Sequence, residues 1–397
     1  VKVLPSLESL RKQFPSLQSG FIFLENAGGS QVPASVANAI RDYMLTSYVQ
    51  LGAGYEISQR ATQMVDDAHA YINQFMNGEG AGQTILGPSS TQLVTMLSEC
   101  YERALKPGDE IIVAETGHEA NIGPWMKLAS KGFSVRTWKV NPETMRCEIE
   151  DLKPLINNRT KIVAFVHVSN LLGEINDVSA ITKLVHQAGA KVVVDGVAFA
   201  PHRAIDVKSW GVDWYFYSTY KVFGPHMGAL YGKREAFAEL EGPNHFFLPN
   251  NAYKFELGGV CHEGCAGLLA LREYLQLLGS SIQEAFGAIT ELELPLQARL
   301  IDFLKSKAKV DIIGPAHAEV TRVPTISFVH KRKSSVEIVA EVDRHNIGIR
   351  SGHMYAYRLC KALGIDTDSC VVRVSAVHYN TIEEIDRLIE VLEPVVD

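Results

Sequence analysis

The chain has few of the features that mark specialised proteins. Its six cysteines (Cys100, Cys147, Cys261, Cys265, Cys360 and Cys370) are scattered through 397 residues. That spacing excludes a disulfide framework and reads as free thiols in a reducing compartment. Positive charge is not in excess. With 38 lysines and arginines against 45 aspartates and glutamates, the net charge is −7 and the pI near 6.0, so no nucleic-acid partner is expected. No apolar run is long enough to cross a bilayer, so no membrane partner is expected either. The first residues, Val1-Lys2-Val3-Leu4-Pro5, lack the apolar core of a signal peptide, and a cytoplasmic location is expected. There is no internal repeat and no low-complexity segment. Gly28-Gly29 is not followed by a dinucleotide fingerprint, which argues against a nicotinamide enzyme. Cys261 and Cys265 have no second pair at ligand spacing, so no metal site is expected.

What is present is an ordinary balance for a globular enzyme, 46% hydrophobic and 21% charged, in a chain long enough for two domains. Residues 1–20 read as a short helix and a turn, an arm joining the small domain. Phe21–Leu24 reads as a strand that empties into the polar loop Glu25-Asn26-Ala27-Gly28-Gly29-Ser30. Helices are expected over Pro33–Ser47 and Glu56–Met76. From Thr84 strands and helices alternate. Helices are expected from Ser89–Thr91 to Leu105 and over His118–Lys131, Glu148–Ile156 and Asp177–Ala188. Strands are expected over Glu110–Glu115, Phe133–Val140, Lys161–Val168 and Lys191–Asp195. That alternation predicts an α/β fold with a mostly parallel sheet and helices on both faces, over residues 21–255. Residues 256–397 predict a smaller α+β domain. Its helices are His262–Leu278, Ile282–Lys305, Val336–His345, Tyr355–Leu363 and Ile382–Leu392. Its strands are Pro324–His330, Gly348–Ser351 and Val371–Val377.

In parallel sheets ligands bind beyond the carboxyl ends of the strands. Asn170, Asp195 and Ser218 all sit at such ends, far apart in sequence, and Lys221 follows Ser218 in a turn. A lysine in apolar surroundings becomes a usable nucleophile. A carboxylate after Val192-Val193-Val194 needs a cationic partner. Lysine and aspartate together suit pyridoxal phosphate (PLP), with Lys221 as the Schiff-base residue and Asp195 beside the ring nitrogen. Ser89 and Ser90, where Gly87-Pro88 meets a helix start, suit a phosphate, although a serine there also serves as a plain cap. Ser218 adds a hydroxyl. His118 opens a helix on the same sheet edge, placed to stack on a ring, to move a proton or only to cap. Arg373, inside an apolar strand, needs an anion: a substrate carboxylate or a structural salt bridge. Arg350 has the same two readings.

Together these residues resemble the class V aminotransferase branch of fold-type I PLP enzymes, the cysteine desulfurase superfamily. The matching stretches are Glu25–Gly28, Gly117–Ile122, His167–Gly173, Val194–Gly196, Ser218–Lys221, and Arg373–Ser375 with Tyr379–Thr381. The resemblance implies a seven-stranded sheet and a homodimer with active sites at the interface. It implies that His118 stacks on the ring, that Asn170 contacts its phenolic oxygen and that Arg373 holds the substrate carboxylate. It also implies that the Gly258-Gly259 stretch reaches the other subunit's phosphate, and it adds Asn26 to the substrate site. The chain departs from the pattern at Tyr220, where relatives often carry histidine, and at Ala198, where glutamine or histidine is usual. Gly258-Gly259 stands where a Gly-Thr motif is common. Tyr355, in Ser351–Ala356, stands where relatives carry the persulfide-forming cysteine. The expected activity is β- or γ-elimination on an L-amino acid, with Tyr220, His353 and Tyr355 steering the choice of reaction. The alternatives are replacement, cyclisation or decarboxylative carbon–carbon bond formation, cysteine desulfuration, and a catalytically silent PLP-binding protein.

Overall fold

The computed structural model describes residues 4–397, so the part of the expected arm at 1–3 lies outside the described residues. The strands in chain order are β1 (Ile22–Phe23), β2 (Gly82–Gly87), β3 (Glu110–Ala114), β4 (Ser134–Trp138), β5 (Thr160–Val166), β6 (Lys191–Asp195), β7 (Trp214–Ser218), β8 (Gly228–Lys233), β9 (Val310–Ile313), β10 (Thr325–His330), β11 (Ile347–Gly348), β12 (Arg350–Gly352) and β13 (Val371–Ser375). Seven of them form one sheet in the order β2-β8-β7-β6-β5-β3-β4. All run parallel except β8, which is antiparallel to both neighbours.

The central strands read as unbroken apolar runs because both faces are buried. Val163, Phe165, Val192, Val194, Tyr215 and Tyr217 belong to one core. Ile162, Ala164, Val193, Trp214 and Phe216 belong to the core on the other face, which the helix Ser90–Ala104 covers with Leu93, Val94 and Leu97. Each fully buried valine of β6 contributes roughly 1.5–3 kcal/mol. The neighbouring surface pair Lys191 Nζ–Glu239 Oε1, at 3.0 Å, contributes about 1 kcal/mol at most, so packing fixes the strand. The period-two alternation puts Asp195 and Ser218 on the same face as Val193 and Phe216.

A second sheet, β12-β13-β10-β9, is antiparallel. It packs with the helices Ser335–Asp343 and Ile382–Val396 around its own core. The helix Ile282–Lys305 serves both parts. Phe286 and Ile289 enter the large core and Leu296 and Leu300 the small one, with Pro295 between. The β1 strand pairs with β11, and Arg11 Nη2 meets Glu384 Oε1 at 2.8 Å, tying the N-terminal segment to the second sheet's helices. Among the described residues no helix is long and apolar enough to cross a membrane.

Four local expectations change. The single helix expected over Glu148–Ile156 is a four-residue α-helix (Ile149–Leu152) and a 3-10 turn (Lys153–Leu155). The single helix expected over His118–Lys131 is a 3-10 turn (Glu119–Asn121), a short α-helix (Gly123–Lys127) and a second 3-10 turn (Leu128–Lys131). Pro124 removes a donor there, and Ile122 leaves helical geometry at ψ −56° with φ −121°. The helix expected from Tyr355 starts at Tyr357, because Met354 and Tyr355 take left-handed backbone, φ 43° and 62°. The strand expected over Gly348–Ser351 is split between β11 and β12.

Candidate active site

At the carboxyl edge of the large sheet, a cavity of about 60 Å³ is lined by residues from five separate segments. Asp195 and Ser218 are the last residues of β6 and β7, which pair in parallel. Lys221 closes a 3-10 turn directly after β7. Asn170 lies four residues beyond β5 and His118 four residues beyond β3. Ser90 is the first residue of the helix Ser90–Ala104. All six line the cavity, as do Tyr220, Ala198 and Thr91.

Burial sets the charges. The Lys221 amine is held down to about 8, first by desolvation and then by the Arg373 guanidinium, with Asp195 and Glu25 opposing. Asp195 is 3% exposed. Desolvation raises its carboxyl to about 6, against the Val197 N–H, which donates to Oδ1 at 2.9 Å, and the charge of Lys221. His118 is lowered to about 4 by burial and by the nearby cations Lys221 and Arg373, so its ring is neutral at pH 7. Its Nδ1 accepts from Ala120 N–H at 3.0 Å.

The Ser90 and Ser218 hydroxyls meet at 2.8 Å, both buried, at the start of a fifteen-residue helix. Tyr220 stacks on His226 with centroids 4.7 Å apart. Gly228 makes this closeness feasible. It faces Ser218 across the β7–β8 ladder, and a Cβ there would lie 2.5 Å from the Ser89 carbonyl carbon and the Ser90 nitrogen. Ser89 itself lies outside the cavity and acts as the helix cap, accepting from Gln92 N–H at 3.2 Å.

The remaining expected residues are placed elsewhere. Arg373 is buried on β13 and does not line the cavity. Its Nη1 donates to the Asn170 carbonyl at 3.2 Å, its Nη2 lies 3.4 Å from Glu25 Oε1, and its Nε has no partner. Arg350 is exposed and meets the same Glu25 oxygen at 3.3 Å. The Asn26 amide is committed to protein. It donates to the Phe23 and Ser375 carbonyls at 2.9 Å and accepts from the Tyr379 hydroxyl, which leaves no free atom for a substrate. His353 and Tyr355 lie on the loop after β12, outside the cavity; the Tyr355 ring is 5.1 Å from that of His118. Gly259 lines a separate groove of about 930 Å³, to which Gly87 and Pro88 also contribute.

Sequence reasoning missed Glu25 as an anion for Arg373, Thr91 as a lining residue and Gly228 as the close approach. Thr91 was within reach, since it adjoins Ser89-Ser90. The other two depend on contacts between segments distant in the chain.

This donor set fits PLP. Asp195 is a buried carboxylate short of a cation, which a protonated ring nitrogen would supply. The hydroxyl pair and helix start suit a phosphate dianion. Asn170 Oδ1 is buried without a partner. Lys221 is an amine held close to neutrality.

The aminotransferase class-V family model matches residues 22–388. The aminotransferase-like protein FGM3 of Gibberella zeae is 40% identical over 401 residues, covering 98% of each chain. The nonribosomal peptide synthetase-like enzyme fsqF of Aspergillus fumigatus is 35% identical over 98% of this chain, which spans 26% of that protein's length. Among solved structures, the apo cysteine desulfurase from Thermococcus onnurineus NA1 superposes with a TM-score of 0.90 at 26% identity, covering 100% of this chain and 99% of the other.

Proposed function

The chain belongs to the class-V aminotransferase family, within the cysteine desulfurase superfamily, and is a PLP-dependent enzyme; from that premise we propose that it acts on an L-amino acid by β- or γ-elimination, as a C–S lyase does. The observation that carries this reading is the lack of a thiol. Among the described residues no cysteine lines the cavity around Lys221. Cys360, the first thiol downstream of Tyr355, is fully buried with its Sγ 2.6 Å from that of Cys370, and the hydrogen bond with Cys370, then burial, pushes its pKa up. A neutral, enclosed thiol is a poor sulfur acceptor.

Ser90, Ser218 and the helix start would hold the phosphate. The Asp195 carboxylate would pair with the ring nitrogen, and the neutral His118 ring would face the cofactor ring. Bound PLP supplies the sink for the electron pair left at Cα. Lys221, with a pKa near 8, exchanges its proton readily close to neutral pH and takes the Cα proton as a free amine. Arg373 lies off the cavity with its Nη1 and Nη2 taken by Asn170 and Glu25, so its Nε is what it would offer a substrate carboxylate. With no thiol to receive it, the substituent at Cβ or Cγ departs to solvent.

A second reading has one specific support, the match to a nonribosomal peptide synthetase-like enzyme. In it the enzyme instead catalyses replacement, cyclisation or decarboxylative carbon–carbon bond formation in a biosynthetic pathway; in the last of these the group lost is the carboxylate on Cα, as carbon dioxide. We also infer a homodimer in which Gly259 approaches the other subunit's phosphate; a monomer in sedimentation would contradict that.

The test is product analysis after incubation of the holoenzyme with L-cysteine and with O- and S-substituted amino acids. Elimination yields a keto acid and ammonia. Desulfuration yields alanine and a protein persulfide, and that outcome would overturn the proposal. A product formed only when a second nucleophile is added supports the second reading.

A further inference from the structure

The loop from Gly352 to Tyr357 carries a backbone that its residues do not favour. Met354 and Tyr355 are consecutive non-glycine residues in left-handed conformation, φ 43° and 62°. Such residues persist where surrounding contacts over-determine them, and they concentrate at ligand sites. The contacts here come from both sides. Asn170, a cavity residue, donates its Nδ2 to the Met354 carbonyl at 2.8 Å. Glu119 donates its N–H to the Tyr355 carbonyl at 2.8 Å, and its carboxylate takes both Arg358 donors at 2.9 and 3.0 Å. From within the loop, His353 Nδ1 accepts the Tyr355 N–H at 3.1 Å.

The result is an aromatic residue presented outward, not packed. Tyr355 is 67% exposed, yet its ring lies 5.1 Å from His118, tilted by 35°. His118 lines the Lys221 cavity, so the Tyr355 ring extends that wall toward solvent. His353 stands edge-on to Tyr355 at 6.4 Å and to Tyr357 at 5.5 Å. Of the nearby cations, Arg358 is paired with Glu119, while Arg350 shares the single Glu25 carboxylate with Arg373. The rim therefore offers π-faces, and Arg358, held by the same Glu119 that anchors the loop, is paired. Aromatic faces of this kind favour a neutral planar group, in offset or edge contact, over an aliphatic one of equal size.

We infer that the side wall formed by His118, Tyr355 and His353 is a specificity site for a neutral planar group, an aryl substituent above all, carried at or beyond Cβ of the amino-acid substrate. Tyr355 is the specificity-determining residue, and the strained loop keeps its ring in place before substrate arrives. The inference rests on the amino-acid reading of the Lys221 site and adds the class of side chain.

The experiment is a titration of the holoenzyme with S-benzyl-L-cysteine and, separately, S-hexyl-L-cysteine, following the change in PLP absorbance. The wild type should bind the benzyl compound about two- to tenfold more tightly. Tyr355→Phe should keep that ratio. Tyr355→Leu, which keeps apolar bulk but not the planar face, should bring it close to one, chiefly through weaker binding of the benzyl compound. Equal affinities in the wild type, or a ratio that survives Tyr355→Leu, would overturn the inference with the amino-acid reading intact. Absorbance that answers to no amino acid would overturn that reading, and the inference with it.

Discussion

Replacing Gly228 by alanine tests how the hydroxyl pair is built. Gly228 pairs with Ser218 on one side of β8 and with Gly87 on the other. A Cβ at this position would lie 2.5 Å from the Ser89 carbonyl carbon and the Ser90 nitrogen, where ordinary contact begins at 3.4 Å. Both are backbone atoms at the start of a capped fifteen-residue helix, so neither can rotate aside. Overpacking of this kind costs roughly 1–3 kcal/mol. The lower freedom of alanine in the unfolded chain offsets about 0.4–1 kcal/mol of that. A net loss of roughly 1–2 kcal/mol remains. The relief available is for the helix start to retreat from β8, which draws Ser90 away from Ser218. Losing a hydrogen bond to a charged phosphate weakens PLP binding by about 10-fold or more. The assays are the urea midpoint of the apoprotein and a PLP titration by absorbance. Gly287→Ala is the control of opposite sign. Its added Cβ meets nothing within 4 Å on an exposed turn of the helix Ile282–Lys305. It should gain about 0.5–1 kcal/mol and leave PLP affinity alone. A Gly228→Ala variant with wild-type midpoint and wild-type PLP affinity would refute the reasoning.

Two further predictions concern charge and sulfur. Asp195 has a folded pKa near 6, above its unfolded value of 3.8. Its contribution to apoprotein stability is therefore fully present below the unfolded pKa and is lost as pH rises through 6. The loss reaches at most about 3 kcal/mol at pH 7. The difference in urea midpoint between wild type and Asp195→Asn should follow that curve, with the variant the more stable at pH 7 but the poorer at retaining PLP. A pH-independent difference would contradict it. Cys360→Ala should leave turnover unchanged, and mass spectrometry after incubation with L-cysteine should find no persulfide on any of the six thiols.

How much of this was legible in the sequence depended on the range of the interaction. Strand β6 and the strand end at Ser218 are plain, since burial on both faces writes an unbroken apolar run and the polar residue ending it marks the sheet edge. Asp195, Ser218 and Lys221 followed from that alone, and His118, Asn170 and Ser90 joined them in one cavity. The helix assumed over His118–Lys131 did not hold, because Gly123-Pro124 interrupts an otherwise helical pattern. Strand β9, at the edge of the second sheet, is four residues long and was not foreseen. Asn26 reads as a loop residue of a site, but its amide knits β1 to β13 across 349 positions. The Glu25–Arg373 pair and the Gly228–Ser90 approach are set by register and layer spacing, which a single sequence does not record. The strain at Met354 and Tyr355 likewise comes from contacts with Asn170 and Glu119, not from local propensity.

The central claim is that Lys221 carries the cofactor. Reduction of the PLP-loaded protein with borohydride, followed by peptide mapping, tests it most directly. A pyridoxyl adduct on the peptide containing Lys221, and on no other, is the predicted result; an adduct on a different lysine, or none at all, would contradict it.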